Sequence, residues 1–315
     1  MSHTFKRNRP LFLLLAAFLF IVAQAFAQED AARIETEQRS RELNKLKTRP
    51  PPAPEEVTDP ELGDISLVSR APRPKMFTFW TGQTINFTSN AFLVRDNEQS
   101  AFFWNGRAGA SYVPYATRNF TPRVTFEQNW FRYDHFSKLD FDSQSLQMDL
   151  KYDLNRDDTW FVNGSYAAAR LYSQHPSIGE FYRYGLANAS LTHFAQVGNA
   201  PFYLGVTGGG YWRHGDPSSS DRVSAYMNVV ALYALRETVQ LAGFTRPEFQ
   251  HYTHDASGSS REDFNLTVGA TISWNPREYL SVGATAAYTG NFSSVSERRY
   301  DVVTPSLLFG AQFAF

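Results

Sequence analysis

From Met76 onward, apolar and polar residues alternate in segment after segment, and no later apolar run approaches the ~20 residues of a membrane-spanning helix. The clearest segment is FNLTVGATISW, with Phe264, Leu266, Val268, Ala270, Ile272 and Trp274 on one face and Asn265, Thr267, Gly269, Thr271 and Ser273 on the other. The next repeats it, setting Leu280, Val282, Ala284, Ala286 and Tyr288 against Ser281, Gly283, Thr285, Ala287 and Thr289. The last sets Pro305, Leu307, Phe309, Ala311, Phe313 and Phe315 against Ser306, Leu308, Gly310, Gln312 and Ala314. A period of two is that of a β-strand, whose side chains point alternately to the two faces of a sheet. In a soluble sandwich the inward face would pack on a second sheet, but here Gly, Ala, Ser and Thr dominate one face and offer little to pack. The large apolar face needs an apolar medium, and lipid supplies one. Hydrocarbon cannot satisfy a free sheet edge, so a sheet in lipid has to close into a barrel.

Similar segments lie near 77–94, 101–115, 122–134, 139–154, 159–172, 180–194, 202–213, 222–235 and 239–252, which with the last three makes about twelve. The connections alternate in kind. NRDD (155–158), QVGNA (196–200), RET (236–238) and NPRE (275–278) are tight, whereas the stretches 173–180, 214–221, 253–263 and 293–301 are longer and polar. Short turns at one end, longer loops at the other and an even strand count predict an all-β fold, a transmembrane antiparallel up-and-down β-barrel of about twelve strands over 76–315. Trp104, Trp160, Trp274, Tyr112, Tyr233 and Phe315 fall near strand ends on the apolar face, where interfacial girdles sit.

Ahead of the barrel, Lys6, Arg7 and Arg9 precede the apolar run Leu11 to Ala23 and a small-x-small site, Ala25-Phe26-Ala27, which predicts a cleaved signal peptide over 1–27. Residues 28–75 are charged and then Pro-rich, too poor in apolar residues to offset the entropy of ordering, and read as a disordered arm. That arm is either a spacer or a docking segment for a periplasmic partner. Balanced charge, 30 basic against 31 acidic residues, leaves no footprint for nucleic acid, and the absence of cysteine excludes disulfides, thiolate metal sites and a lipidated mature N-terminus.

The C-terminal strand resembles that of bacterial outer-membrane barrel proteins, which end on polar–x–Gly–x–x–aromatic–x–aromatic. Gly310, Phe313 and Phe315 match the glycine and both aromatics, while Leu308 departs from the polar position. The resemblance implies an outer membrane location, with the arm in the periplasm, outer-membrane lipid around the barrel, and recognition of this strand by the barrel-assembly machinery. A looser likeness, carried by REDFNL (Arg261 to Leu266) and TGNFSSVSERRYD (Thr289 to Asp301), is to porin-like barrels found with exopolysaccharide export systems.

Parity along the strands predicts a lumen lined by Arg107, Arg123, Glu127, Asp149, Lys151, Asp153, Arg183, Arg246 and Glu248, with Asn105 beside them. A hairpin register that sets Arg123 opposite Asp153 leaves Lys151 diagonal to Glu127, giving one wall of cross-strand ion pairs. The opposite wall, with Asn86, Thr267, Thr271, Thr285, Thr289 and Gln312, is neutral. Two readings follow: a narrow passive pore for small hydrophilic solutes or a saccharide, or a non-conducting barrel whose charges occlude the lumen and which works through its loops or arm. If it is a pore, the mixed signs argue against strong anion or cation selection. A third and weaker reading is an outer-membrane lipid-modifying enzyme, with a Ser and a His on the outer face near the membrane rim, but an enzyme is not expected. His175 with Ser177, and His214 with Ser218 to Ser220, sit in or across loops, and His193 and His251 have no serine two residues away. No cofactor and no metal are expected; His251, His254 and Asp255 read as loop polarity.

Overall fold

The computed structural model describes residues 75–315 except 118, 156–158, 176 and 254–259, together with a short pairing of Thr58–Asp59 with Gly63–Asp64. The expected signal peptide, the rest of the arm, His254 and Asp255 lie outside the described residues.

Twelve strands form one closed barrel. They are β1 (Phe77–Thr88), β2 (Ala101–Tyr112), β3 (Phe120–Tyr133), β4 (Phe141–Asp153), β5 (Trp160–Ser173) and β6 (Glu180–Gln196). The circuit continues with β7 (Phe202–Asp216), β8 (Arg222–Ala234), β9 (Val239–Tyr252), β10 (Arg261–Arg277), β11 (Leu280–Ser293) and β12 (Tyr300–Ala314). Each strand pairs antiparallel with its sequence neighbours, and β12 closes on β1 from Ser306↔Asn86 to Ala314↔Thr78. The ladder runs to the last residue: the Phe315 amide donates to the Phe77 carbonyl at 2.9 Å and the Phe77 amide donates back at 3.3 Å. The start of β1 and the end of β12 therefore share one end of the barrel, here the terminal end; the opposite one is the far end.

Alternation sorts the side chains as the pattern predicts. Outside lie Ile85, Phe126, Leu146, Met148, Leu150, Leu241, Ile272, Leu307 and Phe309, all exposed. Trp160, Trp274, Tyr112, Tyr233, Phe313 and Phe315 ring the terminal end, and Phe102, Trp212, Phe249 and Phe292 lie outside towards the far end. Trp104 belongs to neither ring. It sits further along β2, and its indole N–H donates to Gln83 Oε1 at 2.6 Å, so neither polar group is left bare on the outer face.

Two boundaries differ from the sequence reading. The pattern extends β1 to 94, but the strand ends at Thr88 and Asn90 to Leu93 turn inward as the first part of the 89–100 connection. The far-end connections are shorter than expected because the strands run on: His214, Gly215 and Asp216 belong to β7, and β10 starts at Arg261. Inside, large rings lie over glycines of the neighbouring strand. A Cβ on Gly109 would sit 2.3 Å from Trp80, and one on Gly269 would sit 2.4 Å from Phe244. Glycine at these two positions lets a narrow barrel hold a tryptophan and a phenylalanine in its lumen.

Neighbouring residues on β4 test the sidedness. Leu146→Arg puts a cation on the outer face at mid-strand and is expected to cost ~2–4 kcal/mol. Gln147→Arg faces the lumen and is expected to cost much less. Denaturant unfolding in lipid vesicles measures both, and equal losses would mean that the faces are misassigned.

Candidate functional site: the lumen wall

Arg107, Arg123, Glu127, Asp149, Lys151, Asp153, Arg246 and Glu248 all lie on the inward face of their strands. Arg183 does not. Its side chain is 59 % exposed on the outer face near the far end, 3.0 Å from Asp216. The size rule inverts on β6: Tyr182, Tyr184 and Leu186 point inward, and Gly185, Ala187 and Ala189 point out. A bulge at Phe181, between the pairs Leu171↔Tyr182 and Tyr172↔Glu180, marks the start of that stretch.

The β3–β4 pairing also differs from the predicted register. Arg123 faces Asp149, Lys151 faces Thr121, and Glu127 faces Ser145. The single 3-10 turn Ser137–Leu139 lets Phe131 stack on Phe141 at 4.3 Å as a direct cross-strand pair, which sets the register; the slip is even, so the faces are unchanged. Lys151 pairs with Asp153 on its own strand at 3.0 Å. Glu127 accepts from Asn129 Nδ2 at 2.9 Å and from Trp80 Nε1 at 3.3 Å, rather than from Lys151. On the neutral wall, Thr267 bonds Thr289 at 3.1 Å and Thr271 bonds Thr285 at 2.9 Å, each pair directly cross-strand.

A second charged wall lies on β7 to β10 toward the far end; the sequence placed Arg246 and Glu248 in the lumen but missed Arg213, Arg222 and Arg261 beside them. Arg213, Arg222, Arg246 and Arg261 are all buried and all lie over tyrosine rings. The shortest contacts are Arg261 over Tyr252 at 3.7 Å, Arg213 over Tyr184 at 3.9 Å and Arg246 over Tyr226 at 4.0 Å. Glu248, 2 % exposed, accepts from Arg246 at 3.2 Å, Gln250 at 2.8 Å and the Tyr211 hydroxyl. Arg261 lies 3.2 Å from Asp263. Arg213, Arg222 and Arg261 sit at strand ends, where the sequence reads as the start or finish of a loop. The available signal was the alternation Tyr211-x-Arg213, Arg222-x-Ser224-x-Tyr226 and Arg261-x-Asp263-x-Asn265, which continues the inward face.

An apolar layer packs into the far end of the lumen. Phe103, Phe131, Tyr133, Phe141, Leu171 and Tyr182 meet Ala91, Phe92, Phe136 and Leu139 from the connections. Phe92 packs edge-on against Phe136 at 4.7 Å. Leu93 has a φ of 51°, a left-handed conformation that costs an L-residue roughly 1–2 kcal/mol. Burial of its side chain against Val302 and Tyr300 offsets that strain. Asn90 holds the turn, donating to the carbonyls of Val94 at 2.7 Å and Asp301 at 3.2 Å.

Elsewhere, Ser177 Oγ lies 2.8 Å from His175 Nδ1, an exposed contact between the two residues that the sequence placed in a loop. Among the described residues, no group of three or more His, Cys, Asp or Glu gathers as a metal site. Gly310 lies between Gly82 and Ser281 in the closing seam, Phe313 stacks on Tyr279 at 5.6 Å, and Phe315 meets Phe79 at 6.3 Å.

No protein-family model matches the sequence, and no curated protein sequence matches it significantly. Solved structures do. The COG4313 outer membrane channel from Pseudomonas putida F1 superposes with a TM-score of 0.52 at 12 % identity, over 79 % of this chain and 100 % of that one. The KdgM porin in complex with disordered oligogalacturonate gives 0.42 at 9 % identity, over 75 % and 99 %. LpxR from Salmonella typhimurium gives 0.41 at 8 % identity, over 72 % and 99 %. The fold is thus that of outer-membrane β-barrels.

Glu248→Leu removes the buried carboxylate that Arg246 binds and is expected to cost ~3–5 kcal/mol of stability. The double variant Arg246→Met/Glu248→Leu removes both charges and should recover most of that loss. Unfolding midpoints of the two proteins decide it.

Proposed function

We propose that the protein is an outer-membrane barrel whose lumen is a narrow passive pore for small hydrophilic solutes or a saccharide, with the terminal end in the periplasm. The observation that carries this reading is the state of the charges on β3 and β4. A lumen filled by a structural network would bury them; Lys151 does pair with buried Asp153, yet Arg123 is exposed and the Lys151 side chain keeps about a third of its surface open. Water reaches this wall from the terminal end. At the far end, Ala91 and Phe92 of the 89–100 connection pack against the apolar layer. That same packing favours the rival reading of a closed, non-conducting barrel.

Catalysis forms no part of this proposal. The Ser177–His175 contact is exposed, and no carboxylate is bonded to His175 among the described residues to orient it as a base. Gly310, Phe313 and Phe315 are proposed to be read by the barrel-assembly machinery. The arm at 28–75 is assigned to the periplasm as a spacer or docking segment.

Planar-bilayer recording tests the pore. The full protein is expected to give small stepwise currents. Phe92→Gly/Leu93→Gly loosens the far-end layer and is expected to raise the unit conductance severalfold. Silent bilayers from correctly folded protein of both kinds would establish the closed barrel instead. For assembly, Phe315→Asp is expected to lower the fraction of heat-modifiable, folded barrel in cell membranes while leaving the conductance of the folded remainder unchanged; normal yield would remove the assembly role.

A further inference from the structure

The β7–β8 pairing sets two cations against each other. Arg213 and Arg222 are direct cross-strand partners, and both side chains point into the lumen at 3 % and 2 % exposure. Like charges directly opposite on a sheet repel, and a buried charge needs compensation. Among the described residues, neither has a carboxylate at ion-pair distance. Arg213 lies over the ring faces of Tyr184 and Tyr182, and among the described residues its Nε has no hydrogen-bond partner. Arg222 donates to the hydroxyls of Tyr211, at 3.1 and 3.2 Å, and Tyr252, at 3.2 Å. Glu248 is one step removed from it through Tyr211 and is already bonded by Arg246. Of the four guanidinium groups on this wall, Arg246 bonds Glu248 and Arg261 bonds Asp263.

We propose that the Arg213–Arg222 pair is a binding site for a small oxyanion, a carboxylate or a phosphate group, and that it makes the lumen prefer anions. Guanidinium forks match the geometry of both groups, and two of them held against tyrosine rings are preorganised for such a ligand. An oxyanion between them supplies the missing counter-charge. Asn228, lower on the same face of β8, is buried with neither amide atom hydrogen-bonded and extends the polar path towards the terminal end. The mixed signs read from the sequence omitted three of these four arginines, which is why they suggested no selection.

The selectivity rests on the pore reading, whereas the binding does not, so two measurements are made on the full protein. The first is thermal unfolding of the detergent-solubilised barrel with acetate, inorganic phosphate or chloride at constant ionic strength. Acetate or phosphate is expected to raise the midpoint progressively and chloride to do so less; the more effective of the two identifies the oxyanion class. Arg213→Gln and Arg222→Gln should each abolish the oxyanion-dependent rise. Each should also raise the midpoint in the absence of oxyanion, because the repulsion is gone; a merely structural arginine would lower it. Arg213→Lys, which keeps the charge without the fork, should retain a reduced rise.

The second is the reversal potential across a salt gradient in planar bilayers. It is expected to have the anion-selective sign in the natural protein and to move towards zero in Arg213→Gln. Oxyanion stabilisation with silent bilayers would support the site and overturn the pore. Conductance with no anion preference and no oxyanion stabilisation, or stabilisation unchanged in both glutamine variants, would overturn the site and leave the pore standing.

Discussion

The structure depends on one seam. In hydrocarbon an unpaired backbone N–H or C=O costs several kcal/mol, so an open sheet of this length could not remain in a bilayer. The β12–β1 ladder removes both edges at once, and it does so down to the reciprocal Phe77–Phe315 pair. Gly310 and Gly82 meet directly within it, flanked by the outward pairs Phe309↔Gln83 and Ala311↔Thr81. Everything inside the barrel follows from closure, because only then do the alternate side chains share an interior.

That interior is divided diagonally. Apolar side chains pack at the far end against β2 to β6, and a second apolar group, Phe194, Val230, Leu232, Ala242, Phe244 and Ala287, lies on β6 to β11. Charged residues occupy the complementary corners, with carboxylates and Arg123 on β3 and β4 and the arginine–tyrosine wall on β7 to β10. Burying charge costs desolvation, and the two corners meet that cost differently: Arg123 on β3 stays exposed, whereas the buried arginines of β7 to β10 lie over tyrosine rings.

The fold was legible because a period of two needs no long-range information. Strand number, order and the facing of most lumen residues follow from alternation alone. Register was not legible: one aromatic pair, Phe131 on Phe141, fixed the β3–β4 offset, and no local rule announces which ring will stack on which. Arg183 was misplaced because β6 turns its large residues inward, where Arg213 rests on two of its tyrosines. Three arginines of the second charged wall were hidden for a related reason. Polar residues at strand ends look like loops until the partner strand is known to extend beside them.

The tucked 89–100 connection divides a surface loop into two unlike halves. Ala91 and Leu93 are interior residues, while residues 95–100 stand in solvent. An antibody or protease approaching from that side meets only the second half. Side-chain packing consequently constrains Asn90 to Leu93 and not Arg95 to Ser100, where the left-handed φ of 60° at Asn97 is a backbone constraint of its own. The solvent-exposed half of this loop is thus also the half that makes no packing contact with the lumen's apolar layer.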